Sequence, residues 1–457
     1  MGKLFGTDGI RGVVNAGLDA DLAYKVGLAA AKVLSEGKRA GEKTLVTIGK
    51  DTRISGDLLK GALIAGLCTA GADVLDLGTL PTPGVAWVTI DEKADAGIVI
   101  SASHNPFEHN GIKIFNGQGF KLSDELEERI EEIVLFEHNN VPMKTHGDIG
   151  KVSYVAPKAS DDYIDHLEST VDGDLRGLRI LVDCANGAAS ATAVRLFDRF
   201  PKLRTDVINA DPDGVNINEK CGSTHMDSLA AMVTAGGYDI GIAFDGDADR
   251  CLAVDELGNE IDGDQVMALC GLDMKERGKL SGNTVVATVM SNIGLHQFAR
   301  EHEIGLECTN VGDRNVLERM LEKGYAIGGE QSGHMIFLEY ATTGDGQLTA
   351  LQILNLLQKS GKKASELFSS CEKFPQVLIN IPVAGGNSAK ERIMAAQWLK
   401  DCVAEQEASL QGGGRILVRP SGTEALIRVM VEAKELNVAH TCAEAVASMI
   451  KINENQL

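Results

Sequence analysis

The sequence predicts an α/β protein: three similar, doubly wound α/β domains around a central cleft, followed by a smaller C-terminal α+β domain. Three observations carry that prediction. Short β-branched apolar runs alternate with segments of helical periodicity, the rhythm of parallel strands buried on both faces. These runs end repeatedly in polar, glycine-flanked loops. The length of 457 residues exceeds what one core supports, and the rhythm changes near residue 370. The expected domains span residues 1–155, 156–257, 258–370 and 371–457.

Taken in order, residues 1–15 set Thr7, Asp8 and Arg11 among Gly6, Gly9 and Gly12, the composition of a loop. From Asp21 to Leu34 the apolar positions Leu22, Val26, Leu28, Ala29 and Val33 recur at helical spacing. Leu45 to Ile48 is a strand running into GKDTRISG; a helix from Leu58 to Ala70 and a strand from Asp73 to Leu77 follow. Ile98, Val99 and Ile100 form a buried strand that turns abruptly polar at Ser101, Ser103, His104 and Asn105, where Pro106 biases Asn105 away from helix. The pattern recurs with RILV (Arg179 to Val182) before DCANGAAS and YDIGIAF (Tyr238 to Phe244) before DGDADR. It recurs again with TVVATV (Thr284 to Val289) before MSNIGL and with Tyr325 to Ile327 before GGEQSGH. In the last domain, Val377 to Val383, Arg415 to Val418 and Ile427 to Ala433 are strands, and Ser388 to Ala404 and Val438 to Ile450 are helices. This domain is expected to be hinged.

The 65 acidic and 44 basic residues give a net charge of −21, with no basic tract, which argues against nucleic acid or an anionic membrane as partner. An anionic ligand would need a local basic pocket. Nine scattered cysteines without CxxC spacing fit a reducing compartment. MGKLFGTDGIRG lacks the apolar core of a signal peptide, and Gly at position 6 does not suit myristoylation. The expectation is a cytoplasmic protein, monomer or homodimer.

Four loops carry chemistry. Ser103 stands at a strand end, where open α/β sheets bind ligands. Asp245, Asp247 and Asp249 alternate, so all three carboxylates can face one hard cation. An EF-hand is excluded, because Arg250 occupies the position that needs glycine and the flanks are strands. In GEQSGH, Glu330, Ser332 and His334 alternate on a glycine-bracketed loop suited to a polyhydroxylated ligand. In RPSGTEALIR, Arg419, Ser421, Gly422 and Thr423 can surround a phosphate, supplying the basic pocket that the acidic total demands. Neither GxxxxGK[ST] nor a strand-linked GxGxxG occurs, so ATP and NAD are not inferred. A nucleophilic hydroxyl, a divalent cation, a hydroxyl-binding loop and a phosphate anchor together describe phosphoryl transfer on a phosphosugar.

These motifs, in this order and with FGTDGIRG at the front, resemble the α-D-phosphohexomutase superfamily over the whole chain, and most closely its bacterial phosphoglucosamine branch. The resemblance implies a phosphoserine at Ser103, with Mg²⁺ held by Ser103, Asp245, Asp247 and Asp249, and Arg250 beside the transferring group. It implies that Arg11 and Lys113 assist proton transfer and that His104 supports the serine loop. Glu330, Ser332, Gly333 and His334 would bind the sugar, and Arg419, Ser421, Gly422, Thr423 and Arg428 the non-reacting phosphate. The implied reaction passes through glucosamine 1,6-bisphosphate. The rivals are a phosphomannomutase or phosphoglucomutase, an inert sugar-phosphate-binding protein, and a metal-dependent phosphatase.

Overall fold

The computed structural model describes residues 4–6, 8–39, 41–421 and 425–454. They form two compact units: one from the chain up to Met290 with Ile304–Phe368, the other from Ser291–Glu303 and the chain from Ser369 onward. The segment Ser291–Glu303, inside the expected third domain, therefore belongs to the C-terminal unit.

The first unit contains three sheets. In the six-stranded sheet the order is Ile10–Val13, His109–Asn116, Ala96–Ile100, Leu45–Lys50, Asp73–Thr79, Val152–Tyr154. Leu45–Lys50 pairs in parallel with Asp73–Thr79 and Ala96–Ile100, while His109–Asn116 runs antiparallel to Ala96–Ile100. Helices Ala20–Leu34 and Gly56–Thr69 pack so closely that a Cβ on Gly27 would lie 2.3 Å from the Leu63 carbonyl oxygen. A larger residue there would force the helices apart.

The N-terminal stretch corrects an expectation. Ile10–Val13, expected to be loop, is an edge strand antiparallel to His109–Asn116. Ile10 is buried opposite Ile112, so burial of one side chain outweighs the glycine-rich composition around it. Arg11 pairs with Gly111, and a Cβ added there would lie 3.1 Å from Arg11 Cγ. The glycine lets the long side chain lie across the sheet.

The five-stranded sheet has the order Glu260–Ile261, Cys251–Asp255, Ile240–Phe244, Arg179–Asp183, Arg204–Ile208; the four-stranded one has Gly305–Thr309, Thr284–Thr288, Ile327–Gly329, Met335–Phe337. All three sheets are mixed rather than wholly parallel, and in each one an antiparallel pair falls in the same place. The loop after Ile100, the loop after Phe244 and the loop after Gly329 each join a buried strand to an antiparallel neighbour. Each site loop is thus clamped by ladder hydrogen bonds on both sides, tighter than a loop leading to a free helix end.

The second unit is an antiparallel sheet of order Gln376–Pro382, Leu426–Ala433, Gly414–Pro420, packed with helices Gly386–Ala395, Gln397–Ser409 and Leu436–Glu454. The single helix expected from Ser388 to Ala404 is two, broken at Ala396 by an extended backbone (ψ 135°). Glu432, fully buried, accepts from Asn292 Nδ2, the Ile293 amide and Arg415 Nε, which ties helix Ile293–Glu301 to this sheet. No described helix is long and apolar enough to cross a membrane.

Candidate active site

Ser103 follows the fully buried strand Ala96–Ile100 and takes a left-handed backbone, φ 52°, unusual for a residue with a side chain. Its Oγ donates to Asp245 Oδ2 at 2.6 Å and lies 3.3 Å from His104 Nδ1. Burial, then the guanidiniums of Arg250 and Arg11, push the His104 imidazole down to about 4. It is therefore neutral at pH 7 and can share a hydrogen bond without adding charge.

The Asp245, Asp247 and Asp249 carboxylates each bring an oxygen within 4.8 Å of the other two, as their alternation predicts; Ala248, at φ 56°, turns the loop between them. Burial and the charges of Asp249 and Asp247 push Asp245 well above the ordinary carboxylate range. Asp247 Oδ2 takes hydrogen bonds from Thr82 Oγ1 at 2.7 Å and Lys113 Nζ at 2.9 Å. Its Oδ1 and that of Asp249 are buried with no hydrogen-bond partner. With the Asp245 carboxylate that Ser103 bonds, these two oxygens free of hydrogen bonds are an all-oxygen donor set that fits a hard divalent cation.

Lys113 is buried and within 3.2 Å of Asp8 and 3.6 Å of Asp249 as well as bonded to Asp247. Burial opposes its charge, yet Asp247, Asp8 and Asp249 together raise its pKa above the usual lysine value. Arg11 is paired with Asp8. Arg250 donates its backbone amide to Asp245 Oδ1 at 3.2 Å, and its buried Nε makes no hydrogen bond but lies 3.9 Å from Asp249 Oδ1.

A cavity of about 530 Å³ brings together Asp8, Arg11, Asp249, Arg250, Asp313, Glu330 and His334. His334, nearly fully buried, accepts the Gly344 amide on Nε2 at 3.1 Å and lies 3.8 Å from Asp249 and 3.7 Å from Asp313. Glu330 accepts the Gly312 amide at 3.0 Å. Ser332 and Gly333 do not line this cavity. Gly333, at φ 89°, is a turn residue whose Cβ would lie 2.3 Å from the Cys251 carbonyl. Its carbonyl accepts the Cys251 amide, so it joins the GEQSGH loop to the strand leaving the Asp loop.

In the C-terminal unit, Arg419 and Arg428 lie directly opposite each other across antiparallel strands. Burial and the facing charge hold Arg419 below the usual arginine range. Buried Lys390 donates to the Ser421 carbonyl at 2.6 Å. The two arginines on the strands flanking this loop, with Lys390 bonded to it from helix Gly386–Ala395, suit an anion. Gly422 and Thr423 lie outside the described residues.

Sequence reading missed several members. Asp8 and Lys121 bridge to Asp313: Lys121 Nζ is 2.7 Å from Asp8 and 2.6 Å from Asp313. Asp51, Arg53 and Asn218 brace the serine loop. A signal existed for the first two, because KDTR follows a buried strand of the sheet that carries Ser103.

A hydroxyl against a cation-binding carboxylate trio, ringed by arginine and lysine, defines a phosphoryl-transfer enzyme. The chain matches all four parts of the phosphoglucomutase/phosphomannomutase family: alpha/beta/alpha domain I over residues 2–140, domain II over 161–258, domain III over 262–374 and the C-terminal domain over 378–449. It belongs to that family and is a phosphohexomutase of the isomerase class. Phosphoglucosamine mutase of Acetivibrio thermocellus is 52% identical over 100% of both chains, and that of Clostridium novyi 51% over 100% of both. A phosphoglucomutase/phosphomannomutase family protein of Burkholderia thailandensis shares the fold (TM-score 0.80, 23% identity, 98% of this chain and 97% of that one). So does the N-acetylphosphoglucosamine mutase of Aspergillus fumigatus solved with GlcNAc-6P and magnesium (TM-score 0.69, 18% identity, 98% and 95%).

Proposed function

We propose that this protein interconverts glucosamine 6-phosphate and glucosamine 1-phosphate in the cytoplasm, feeding UDP-N-acetylglucosamine and peptidoglycan precursor synthesis. The observation that carries the chemistry is the Ser103 hydroxyl 2.6 Å from Asp245, whose carboxylate converges with oxygens of Asp247 and Asp249 that accept no hydrogen bond. The full-length identity of 52% to a relative named phosphoglucosamine mutase supports glucosamine as the sugar.

Ser103 is carried as a phosphoserine. Its Oγ–P bond breaks as a bond forms to the free hydroxyl of glucosamine 6-phosphate, whose proton leaves for a neighbouring base or water. The product is glucosamine 1,6-bisphosphate and a free serine. Reoriented, the bisphosphate returns its other phosphoryl group to Ser103 Oγ and leaves as glucosamine 1-phosphate. Ser103, Asp245, Asp247 and Asp249 would hold one Mg²⁺, which when bound screens the charge on the phosphoryl oxygens. Arg250 neutralises the group in flight, and Arg11 and Lys113 place positive charge at the reacting hydroxyl. Neutral His104 orients the serine. Glu330 and His334 meet the sugar's hydroxyls and amine, with Ser332 and Gly333 shaping their loop. Arg419, Ser421, Gly422, Thr423 and Arg428 bind the phosphate that is not reacting. One anchor must accept either phosphate, because both ends of the intermediate take the same place in turn.

The test is a product assay with glucosamine, glucose and mannose 6-phosphates, each with a trace of hexose 1,6-bisphosphate. Fastest isomerisation of the glucosamine ester is expected. Stoichiometric inorganic phosphate in place of isomer would make the protein a phosphatase, and equal or faster turnover of mannose or glucose phosphate would move it to the neighbouring mutases.

A further inference from the structure

Arg53 has no solvent-exposed side-chain surface, and neither does Asp51. A guanidinium is buried at high cost unless nearly all its donors are used, so where those donors go shows what it is for. Its Nε donates to Asp51 Oδ2 at 2.8 Å. The two terminal nitrogens reach three backbone carbonyls: Pro106 at 2.5 Å, Asn105 at 2.8 Å and Ser103 itself at 2.8 Å. Every one of those acceptors belongs to the loop that carries the proposed nucleophile. Asp51 reaches the same residue from the other side, accepting at 2.6 Å from Ser101 Oγ, which in turn accepts the Ser103 amide at 2.9 Å. Both backbone polar groups of Ser103 are therefore held by one buried ion pair.

The loop is braced once more from the second sheet. Asn218 Nδ2 donates to the Ser103 carbonyl at 2.9 Å and to that of Asn105 at 3.2 Å. Gly246, inside the Asp loop, packs so near that a Cβ there would lie 2.5 Å from the Ser103 oxygen. Ser103 is left-handed at φ 52°, a conformation that a serine does not keep without partners. Asp51 cancels the charge of Arg53, so what reaches Ser103 is direction rather than field. The planar fork of arginine can serve carbonyls three residues apart in the loop, and a lysine cannot.

We propose that Arg53, backed by Asp51 and Ser101, is a positioning residue that fixes the Ser103 backbone so that Oγ is aimed for in-line transfer in both half-reactions. This rests on Ser103 being the phosphoryl carrier. A loose phosphoryl transition state tolerates little misplacement, and a shift of about 1 Å costs about 100-fold in rate. The loss belongs in the chemical step, because none of these three side chains faces the cavity that would take the sugar.

The experiment uses the full-length protein and its variants R53A, R53K and S101A. It measures the rate of phosphorylation at Ser103 by glucose 1,6-bisphosphate, followed by intact mass, alongside steady-state turnover. Folded R53A should lose about 100-fold in both the phosphorylation rate and kcat, with KM within about threefold, and millimolar guanidinium should restore part of the loss. R53K should stay as impaired as R53A. S101A, a deletion too small to threaten the fold, should lose about tenfold in kcat, and it alone decides the matter if the Arg53 variants do not fold. Wild-type rates in S101A, or a folded R53A whose loss lies entirely in KM, would overturn the positioning role. A wild-type protein that takes no phosphoryl group at Ser103 would instead overturn the carrier assignment itself.

Discussion

Two arginine sites in this protein use the same side chain in opposite ways. Arg53 is paired with Asp51 and donates to three loop carbonyls, so its charge is cancelled and its hydrogen bonds go to shaping protein. Arg419 faces Arg428 across two antiparallel strands, where like charges are mutually destabilising, and burial adds to the cost of the charge on Arg419. The difference separates holding from binding. The Ser103 and Asp245 region is overdetermined by buried hydrogen bonds, as in-line transfer requires. The Arg419 strand pair carries a repulsion that the proposed role, gripping a phosphate, would relieve.

That contrast is sharpened first at the reacting centre. Asp245→Asn keeps the shape of the residue but removes a carboxylate that burial and its neighbours already push upward. Turnover should fall by about 10³-fold or more. Thermal stability measured in EDTA should hold or rise, because repulsion within the trio is relieved. Unimpaired activity in EDTA would remove the metal from the mechanism.

A smaller effect, of different kind, is expected at the anchor. On the proposed anchor role, Arg419→Ala would remove charge-assisted hydrogen bonds made equally to substrate and transition state, worth about 1.5–3 kcal/mol. KM should rise roughly 10- to 100-fold with a lesser change in kcat. Titration calorimetry of the folded variant with glucosamine 1-phosphate checks this: unchanged affinity would erase the distinction drawn between the two arginine sites.

The last effect is on stability rather than turnover, and it concerns the helix cap beneath the Asp loop. Asp345 caps helix Gly346–Ser360 by accepting the Leu348 amide and also accepts from Tyr163, yet burial pushes its carboxyl up to about 6. A folded-state pKa above the unfolded value means that its contribution is fully present below about pH 4 and is lost as pH rises through 6. Asp345→Asn should therefore flatten the melting temperature between pH 4 and 6 and raise stability at pH 8 by on the order of 2–3 kcal/mol. Equal melting curves for the two proteins at pH 8 would contradict the buried charge.

Much of this architecture was legible because strand ends in α/β sheets announce themselves. Apolar β-branched runs such as Ile98–Ile100 break into polar loops, and alternating carboxylates such as Asp245, Asp247 and Asp249 have few uses other than a cation. What stayed hidden depends on contacts distant in sequence. KDTR after a buried strand hints that Arg53 lies at the ligand end of the sheet, but only tertiary packing shows that it serves a loop 50 residues away. Lys121 and Asp313 meet across 192 residues. Ile10–Val13 reads as loop because its glycines mask a short strand that exists only by pairing with His109–Asn116. Gly333 reads as part of a ligand loop, and it is the left-handed turn at φ 89° and the 2.3 Å approach a Cβ would make to the Cys251 oxygen that explain the glycine.

The central claim is that Ser103 carries the phosphoryl group. Its most direct test is intact-mass and peptide-mapping spectrometry of the protein after incubation with glucosamine 1,6-bisphosphate. A single added phosphoryl group on Ser103, absent in Ser103→Ala together with turnover, is the predicted result. Labelling at Ser101 instead, or wild-type turnover in Ser103→Ala, would contradict it.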